Sequence, residues 1–572
     1  MSELSSTALE LRLVSSLEKI FPDSDVFSIR EYTEYSALKG EVLSFQLAFR
    51  MYPLLQRAEA PKESGRFEIQ AKTDIPGLSI RKVCQIPSGL PAFSNHDDNY
   101  LRTAPGLYPD LLSTDGVNID PTQPHQAAIQ MHALTSGWQS LWIDLTVPED
   151  AAPGEHPVTI GVYDPNGSLR KQVTVTITVI DAVLPKLSLI HTEWFSYDCI
   201  ENYYGVPALS ERWWEITANF IRTAARRNCN MILTPIFTPP LDTVVGGERT
   251  PVQLVRMEYQ NGSYQFDFSD LDRFVRLCQE LGMEYFEMAH LFTQWGAKCT
   301  PNIYVWENGE LTHRFGWHVS AVSPEYREFL DSFLPALTAH LRELQIADKS
   351  WFHISDEPVA SMLEDYKAAK ALVQEHLKDF PIIDALSHVE FYQEGLCAHP
   401  VPGNDAVHDF IDEKVPNLWT YYCCAQGRDV SNLFFAMPSA RNRILGVQLY
   451  LYQMAGFLHW GYNFYNSQYS LYPINPYVTT DADGAFPSGD AFLVYPGADG
   501  QTLESIRLMV QSEAFQDLRA LKLLEELIGY EQTAAVIQEG IASITFYSYP
   551  KSADYLLNLR KRVNALIKEH IK

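Results

Sequence analysis

Two adjacent carboxylates, Asp356 and Glu357, follow the apolar run Trp351–Ser355 and precede Pro358. Neighbouring side chains of a strand point to opposite faces, so two adjacent acids converge on one ligand only where the strand ends and the backbone turns. Pro358 favours such a turn because it restricts Glu357 away from the helical region. Like-charge repulsion raises the pKa of one acid of a close pair, so one can donate a proton while the other stays charged.

The same residues also fit the start of a helix. Ser355 or Asp356 would be the N-cap, with Pro358 just inside the first turn. Acidic side chains in a first turn also suit the helix dipole. Both interpretations stay open, since an N-terminal turn and a functional carboxylate pair are compatible.

The first part of the chain has the pattern of β structure. Asp164-Pro165-Asn166-Gly167 is a strong turn signal between two β-branched runs, which predicts a hairpin. The run Val173–Ile180 alternates valine or isoleucine with threonine, as a half-buried strand does. We therefore expect an antiparallel β-sandwich over residues 1–185.

After Pro185 short apolar runs alternate with amphipathic helices. Predicted helix starts include Ser210 and Ser323, and Gly282 is predicted to end a helix. We count about eight strands over residues 186–500, the last at Ala491–Tyr495, which favours a (β/α)8 TIM barrel. A doubly wound sheet is the rival, but no glycine-rich phosphate loop supports it. Residues 501–572 have helical spacing and are expected to pack on the barrel as a C-terminal helical segment. The predicted fold class is thus multidomain, with α and β structure.

Catalytic residues of a barrel lie at the C-terminal ends of its strands. Most retaining glycosidases pair an acid with a separate nucleophile, often a glutamate after the seventh strand. Our seventh-strand candidate, Gly456–Asn466, contains no acid, and no glutamate occurs between Glu413 and Glu504. Substrate-assisted hydrolysis needs no such group, because the 2-acetamido oxygen of the sugar is the nucleophile. An acid/base and a carboxylate that orients the acetamido group are then sufficient, as in an Asp-Glu pair.

Several motifs resemble glycoside hydrolase family 123. They are Ser355–Pro358, the stretch Gly456–Asn466, Asp490–Gly497 before a long helix, Ala104–Leu112, and Trp142–Val158. The resemblance covers most of the chain. It implies a β-sandwich followed by a (β/α)8 barrel, and a β-N-acetylgalactosaminidase that acts by substrate assistance. One departure is the segment Ser512–Glu526, where the family often has an acidic, tyrosine-rich helix.

The resemblance assigns Glu357 as the acid/base and Asp356 as the group that stabilises the intermediate. It also implies that four aromatic residues contact the sugar, with core packing as the equal alternative for each: Tyr421, Trp460, Tyr462 and Tyr495. His290 and the nearby Trp295 follow the third predicted strand and are expected to contact the substrate. His290, His353 and Asp356 could in principle hold a metal, but no known ligand spacing supports this, and we expect no metal and no cofactor.

Two other classes of function are weighed against this one. A conventional two-carboxylate glycosidase acting on non-acetamido sugars would need a second acid, for which Glu193, Asp242 and Glu287 are candidates. A non-catalytic carbohydrate-binding protein would bind sugar without turnover. The sequence leaves the choice between GalNAc and GlcNAc open, together with the linkage, exo or endo action, and the oligomeric state.

The formal charge of −27 makes a nucleic-acid partner improbable, so the expected partner is a small carbohydrate substrate. No run approaches the length of a membrane span, and the opening residues lack the pattern of a secretion signal. The eight cysteines are scattered without a C-x-x-C pair. These features predict a cytoplasmic protein without a membrane partner.

Overall fold

The computed structural model describes residues 9–51, 66–118, 122–132 and 137–571. The opening hexapeptide, on which the prediction of no secretion signal rests, lies outside these residues. The strands of the first part are β1 Leu9–Ser15, β2 Glu34–Lys39, β3 Val42–Met51, β4 Arg66–Lys72, β5 Leu78–Ser88, β6 Gly106–Ser113, β7 Val117–Asn118, β8 Gln126–His132, β9 Gln139–Thr146, β10 Gly154–Tyr163 and β11 Leu169–Val183.

These strands form two sheets, in the orders β1-β3-β9-β5-β6 and β2-β11-β10-β4-β8-β7. Neighbouring strands are antiparallel, as predicted, except that β2 pairs in parallel with β11. Side chains of both sheets, such as Phe45, Ile143 and Ile177, belong to one apolar cluster. The two sheets therefore share a core, which is the arrangement of a sandwich.

The hairpin predicted at Asp164–Gly167 is confirmed. Strand β10 pairs antiparallel with β11, and the N–H of Gly167 donates to the carbonyl of Asp164 at 2.8 Å. Gly167 has a φ of +81°, which a glycine adopts without a steric cost. In β11 the residues Val175 and Ile177 are buried, because alternate side chains face the core.

The strands of the second part are β12 Ile190–Glu193, β13 Met231–Thr234, β14 Arg256–Gln260, β15 Ser263–Asp267, β16 Tyr285–Met288, β17 Ile303–Glu307, β18 Glu310–Phe315, β19 Ser350–Trp351, β20 Ile383–Ala385, β21 His399–Val401, β22 Trp419–Tyr422, β23 Gly456–His459, β24 Val494–Pro496 and β25 Thr502–Glu504. The α-helices are α1 Tyr197–Tyr204, α2 Glu211–Arg226, α3 Ser269–Glu280, α4 Pro324–Glu343, α5 Leu363–Val373, α6 Glu390–Gln393, α7 Val407–Asp412, α8 Ser439–Arg443, α9 Leu445–Leu451, α10 Ile506–Ile528, α11 Tyr530–Gln538 and α12 Ala553–His570. Short 3₁₀ helices span Val26–Ser28, Ala347–Lys349, Ala360–Met362 and Gln468–Ser470.

The boundaries of several helices follow from capping residues that the sequence identifies. The hydroxyl oxygens of Ser210 and Ser323 accept hydrogen bonds from the N–H groups of Trp213 and Tyr326, at the starts of α2 and α4. Gly282 lies just after α3 with a φ of +99°. The predicted helix starts and the predicted helix end are therefore confirmed. None of the helices in the described residues is long and apolar enough to cross a membrane.

Six strands of the second part pair in parallel in the order β19-β16-β13-β12-β23-β22, and β20 pairs in parallel with β21. Single parallel bridges also join Phe352 to Ile382 and Gly403 to Tyr421. The regular sheet thus contains six strands, and one complete (β/α)8 barrel stays a prediction. Since parallel strands run in the same direction, their carboxyl ends, and the residues that follow them, lie at the same edge of the sheet.

Two predictions about these strands were wrong, and one strand was missed. Strand β21 was not predicted, since three residues that include a proline show no periodicity. Consequently the segment that begins at Gly456 contains the eighth parallel strand in the chain, and β22 is the seventh. The predicted strand Ala491–Tyr495 overlaps β24, which pairs antiparallel with β25 and not with the parallel strands. Strands β14, β15, β17 and β18 form a further sheet, in the order β15-β14-β17-β18.

Helix α10 is buried along most of its length and joins the two parts of the molecule. It packs so closely on α9 that a Cβ at Gly446 would lie 1.9 Å from the carbonyl oxygen of Ala514. The buried guanidinium of Arg507 donates to both carboxylate oxygens of Asp110 in β6, at 2.8 and 2.9 Å. An ion pair also connects Arg560 of α12 with Glu41, at 2.7 Å.

Candidate active site

Asp356 and Glu357 lie where the chain turns after β19. The carbonyl of Asp356 accepts from the N–H of Trp295 at 2.8 Å, and the N–H of Glu357 donates to the carbonyl of Ala385 at 2.9 Å. Glu357 has a φ of +44°, a strained value for a residue with a side chain. The turn, held by segments on both sides, lets two sequence neighbours face the same cavity.

The cavity has a volume of about 300 Å³, which suits one small ligand. Its lining comes from the carboxyl ends of several parallel strands and from the loops that follow them. The lining residues are Trp194, Leu241, Asp242, Gln294, Trp295, Asp356, Glu357, Ala385, Tyr421, Cys423, Cys424, Leu458, Trp460, Gln468, Tyr469 and Phe486. Acidic groups, amides and aromatic rings thus surround the space, and none of these lining residues is a cation.

The charges of the two neighbouring carboxylates act on each other. Burial and the charge of Glu357 raise the pKa of Asp356 well above its usual range, against the opposing effect of His353. A second negative charge nearby favours the protonated form of a carboxyl group. The hydroxyl of Tyr421 donates to Oε1 of Glu357 at 2.6 Å.

A buried cation lies behind Asp356. The ring of His353 lies between the carboxylates of Glu287 and Asp384, to which its two ring nitrogens donate. Burial lowers the pKa of His353, but these two hydrogen bonds outweigh it and raise the pKa to about 9. The imidazolium is therefore charged at neutral pH, and its partners hold it in place.

Three of the residues predicted to bind substrate do not line the cavity. His290 is fully buried and stacks on His353, with ring centroids 4.2 Å apart. The hydroxyl of Tyr462 donates to the carbonyl of Phe220 at 2.9 Å. That of Tyr495 donates to Asp110 at 2.6 Å. These three side chains pack in the core, because their hydroxyl groups or ring faces contact other protein groups. For the two tyrosines this is the alternative that the sequence left open.

Trp295, Tyr421 and Trp460 do line the cavity, as the prediction requires. The indole N–H of Trp460 donates to Asp490 at 3.1 Å, which fixes the orientation of the ring. Burial raises the pKa of Asp490 well above its usual range, against the hydrogen bond from Trp460. Asp490 had no assigned role in the sequence analysis, although it opens one of the recognised motifs.

The three candidates for a second catalytic acid lie in different surroundings. Glu193 accepts hydrogen bonds from His191, His459 and Gln511, and it is buried. Glu287 is likewise occupied, by Thr192, Trp194 and His353. Only Asp242 of the three lines the cavity.

Asp242 lies on the loop after β13. Burial raises its pKa from 3.8 to about 6, and the charge of Glu357 adds to the rise, while the N–H of Tyr469 and the charge of Arg249 lower it. Gln294 and Gln468 also line the cavity and were not predicted. These positions come from loops without a motif, so no local signal identifies them.

Comparison with known proteins identifies the family. A sequence model described as "Glycoside hydrolase 123, catalytic domain" matches residues 194–524, which is more than half of the chain. The chain belongs to glycoside hydrolase family 123, and it is a hydrolase of that class. No curated protein matches it.

Solved structures agree with the fold. A family 123 glycoside hydrolase from Clostridium perfringens, studied for glycolipid glycan hydrolysis, has a TM-score of 0.69 at 14% identity. The match covers 98% of this chain and 97% of the other. At that identity the likeness shows the fold alone. A β-glucuronidase from Parabacteroides merdae has a TM-score of 0.30 at 9% identity, covering 88% of this chain and 52% of that one, too low to support any inference.

Proposed function

We propose that the protein cleaves terminal β-linked N-acetylhexosamine, with β-GalNAc preferred, by substrate-assisted retaining catalysis. The observation that supports this most directly is the convergence of Asp356 and Glu357 on one cavity. The end of the seventh parallel strand contributes Tyr421, Cys423 and Cys424 to that cavity, and no carboxylate. The usual position of a protein nucleophile is therefore filled by other groups.

In the first step the acetamido oxygen of the sugar attacks the anomeric carbon. Glu357 donates its proton to the glycosidic oxygen, the C–O bond breaks, and the aglycone leaves as an alcohol. Asp356 accepts the acetamido N–H and stabilises the cationic oxazolinium intermediate. In the second step water attacks the anomeric carbon from the opposite side and gives a proton to Glu357. The bond between the anomeric carbon and the acetamido oxygen breaks, which regenerates the acetamido group. Two inversions leave the configuration retained.

The raised pKa of Asp356 suits this sequence. Burial and the charge of Glu357 favour the protonated form of Asp356. An acetamido N–H that donates to Asp356 stabilises its charged form. Binding of an acetamido sugar thereby prepares Asp356 to stabilise the cationic intermediate, whereas a plain hexose does not.

The aromatic lining suits a sugar. Trp194, Trp295, Trp460 and Tyr421 line the cavity, and the apolar faces of aromatic rings pack on the C–H side of a pyranose. We propose that Trp295 and Trp460 bind the ring. The Clostridium perfringens relative was studied for glycolipid glycan hydrolysis. We therefore propose glycolipid glycans, in addition to small glycosides, as substrates to test.

The same proposal includes the architecture and the setting of the enzyme. The eight parallel strands would form one (β/α)8 barrel over residues 186–500, a closure that the two parallel bridges support. The sandwich would span residues 1–185 and the C-terminal helical segment 501–572. All eight cysteines are free thiols, which favours the reducing environment of the cytoplasm.

One observation favours a second candidate. Asp242 lines the cavity together with Glu357, so a conventional two-carboxylate mechanism on non-acetamido sugars has a physical basis. In that mechanism Asp242 would be the nucleophile or the base, and the 2-acetamido group would be dispensable.

The deciding experiment is hydrolysis of chromogenic β-glycosides of GalNAc, GlcNAc, galactose and glucose. We expect turnover of acetamido sugars alone, and a loss of kcat/KM of about 10²–10⁴-fold in Glu357→Gln and in Asp356→Asn. Glu364→Gln is the matched control, since that residue is exposed in the first turn of α5. Turnover of galactose or glucose by an active Asp356→Asn variant would contradict substrate assistance. Sugar binding without turnover would indicate a carbohydrate-binding protein.

A further inference from the structure

Three loops around the cavity each hold a residue with a left-handed backbone. Asp242, Trp295 and Tyr469 have φ values of +33°, +59° and +61°. Such values are rare for residues with side chains, and they concentrate at sites where the backbone is shaped for a ligand. All three residues line the cavity.

The three loops hold one another in place. Oδ2 of Asp242 accepts from the N–H of Tyr469 at 2.8 Å, and the carbonyl of Asp242 accepts from the hydroxyl of Ser470 at 2.8 Å. The rings of Trp295 and Tyr469 meet edge to face, 5.8 Å apart. The amide of Gln294 donates to the carbonyl of Thr243 at 2.9 Å. The position of the Asp242 carboxylate is therefore determined by contacts with both other loops.

One carboxylate oxygen of Asp242 is available to accept hydrogen bonds from a ligand. Among the described residues, only Oδ2 takes part in a hydrogen bond, and Oδ1 has none. The one arginine whose charge acts on Asp242, Arg249, has its guanidinium paired with Asp198 and is itself buried. A polyol supplies the donors that such an acceptor needs, and a carboxylate accepts from hydroxyls more strongly than a neutral group does.

We propose that Asp242 is the specificity residue of the cavity and accepts hydrogen bonds from hydroxyls of the sugar ring that do not react. With Asp356 and Glu357 it makes the cavity a site for uncharged sugars, because an anionic sugar would face three acids without a lining cation. This inference rests on the proposed function and adds the group that recognises the substrate. Asp242 binds and takes no part in bond cleavage.

The test compares Asp242→Asn with wild type on the β-glycoside that wild type hydrolyses best, and on its 3-deoxy, 4-deoxy and 6-deoxy forms. Asparagine keeps an acceptor for the N–H of Tyr469, so the loop retains its shape. We expect kcat/KM on the parent sugar to fall about 10–100-fold, mainly through KM. On the deoxy sugar that lacks the bound hydroxyl, the fall should be below about 3-fold. Asp242→Ala, which also removes the Tyr469 contact, should lose more on every sugar.

Three outcomes would overturn the proposal. They are a loss below 2-fold on the parent sugar, an equal loss on the parent and all three deoxy sugars, and a loss above about 10⁴-fold on all of them, which would make Asp242 a nucleophile. The comparison uses any sugar that is turned over, so it is independent of whether acetamido sugars are required. If Glu357→Gln abolishes turnover as expected, calorimetric binding of the parent and deoxy glycosides to that variant, with and without Asp242→Asn, provides a second readout.

Discussion

Replacing Asp242 with asparagine is expected to stabilise the folded protein at pH 7.5 while it weakens substrate binding. Burial raises the pKa of Asp242 from 3.8 to about 6, and Glu357 adds to this. A carboxyl group with a raised pKa contributes stability that is present below pH 3.8 and is lost as the pH rises through about 6. Asparagine does not ionise, so the variant avoids that loss.

The magnitude follows from the size of the pKa change. At about 1.4 kcal/mol per pH unit, wild type loses up to about 3 kcal/mol of unfolding free energy between low pH and pH 7.5. This is an upper limit because Asp242 is partly exposed. At pH 4.5 the variant's advantage falls to about 1 kcal/mol, since the folded carboxyl group is then protonated and only the ionisation of the unfolded one contributes. For a chain of this length unfolding as one unit, these values correspond to about 2–3 °C and about 1 °C in Tm.

Thermal unfolding of wild type and Asp242→Asn at several pH values between 4.5 and 7.5 measures the effect. Asp348→Asn, at an exposed position, is the matched control and should change Tm equally at every pH. A Tm difference for Asp242→Asn that is constant across this range would refute the reasoning, because the gain must follow the ionisation of Asp242. A variant less stable at pH 7.5 would refute it as well.

Other substitutions test separate contacts. Tyr421→Phe removes the hydrogen bond to Glu357 and should lower kcat about 10-fold; an unchanged kcat would contradict this role. Tyr462→Phe should leave kcat/KM within 2-fold of wild type and cost about 1 kcal/mol in denaturant titrations, whereas a large kinetic loss would restore its predicted sugar contact. Arg507→Met leaves Asp110 buried without its cation, with only the hydroxyl of Tyr495 still donating to it, and should cost about 3–5 kcal/mol in the same titrations; a cost below about 1 kcal/mol would refute that estimate.

The sequence predicts those features that depend on local physical chemistry. The hairpin at Asp164–Gly167 follows from turn residues, and helix starts follow from serines such as Ser210. The carboxylate pair Asp356 and Glu357 was identified because a short strand and a proline flank it. In each case the signal and the structure lie within about ten residues of one another.

Long-range packing determines what the sequence could not show. Asp242 and Tyr469 are 227 residues apart in the chain, so no local sequence pattern predicts the contact between their loops. Tyr462 and Tyr495 belong to motifs that resemble the family, yet a motif does not say whether a side chain faces the cavity or the core. The hairpin of β14 and β15 could have been predicted, since Asn261-Gly262 lies between two alternating runs and is a typical hairpin signal.

The burial of α10 between the two parts of the molecule has a consequence for the order in which the chain is made. Asp110 pairs with Arg507, which is synthesised 397 residues later. Glu41 pairs with Arg560, which is synthesised 519 residues later. At roughly 5–20 residues per second, a ribosome takes about 20–100 s to supply these partners. During that interval the first sheets expose acidic groups that the finished protein buries. The last segment to be synthesised therefore completes the buried ion pairs of the first sheets.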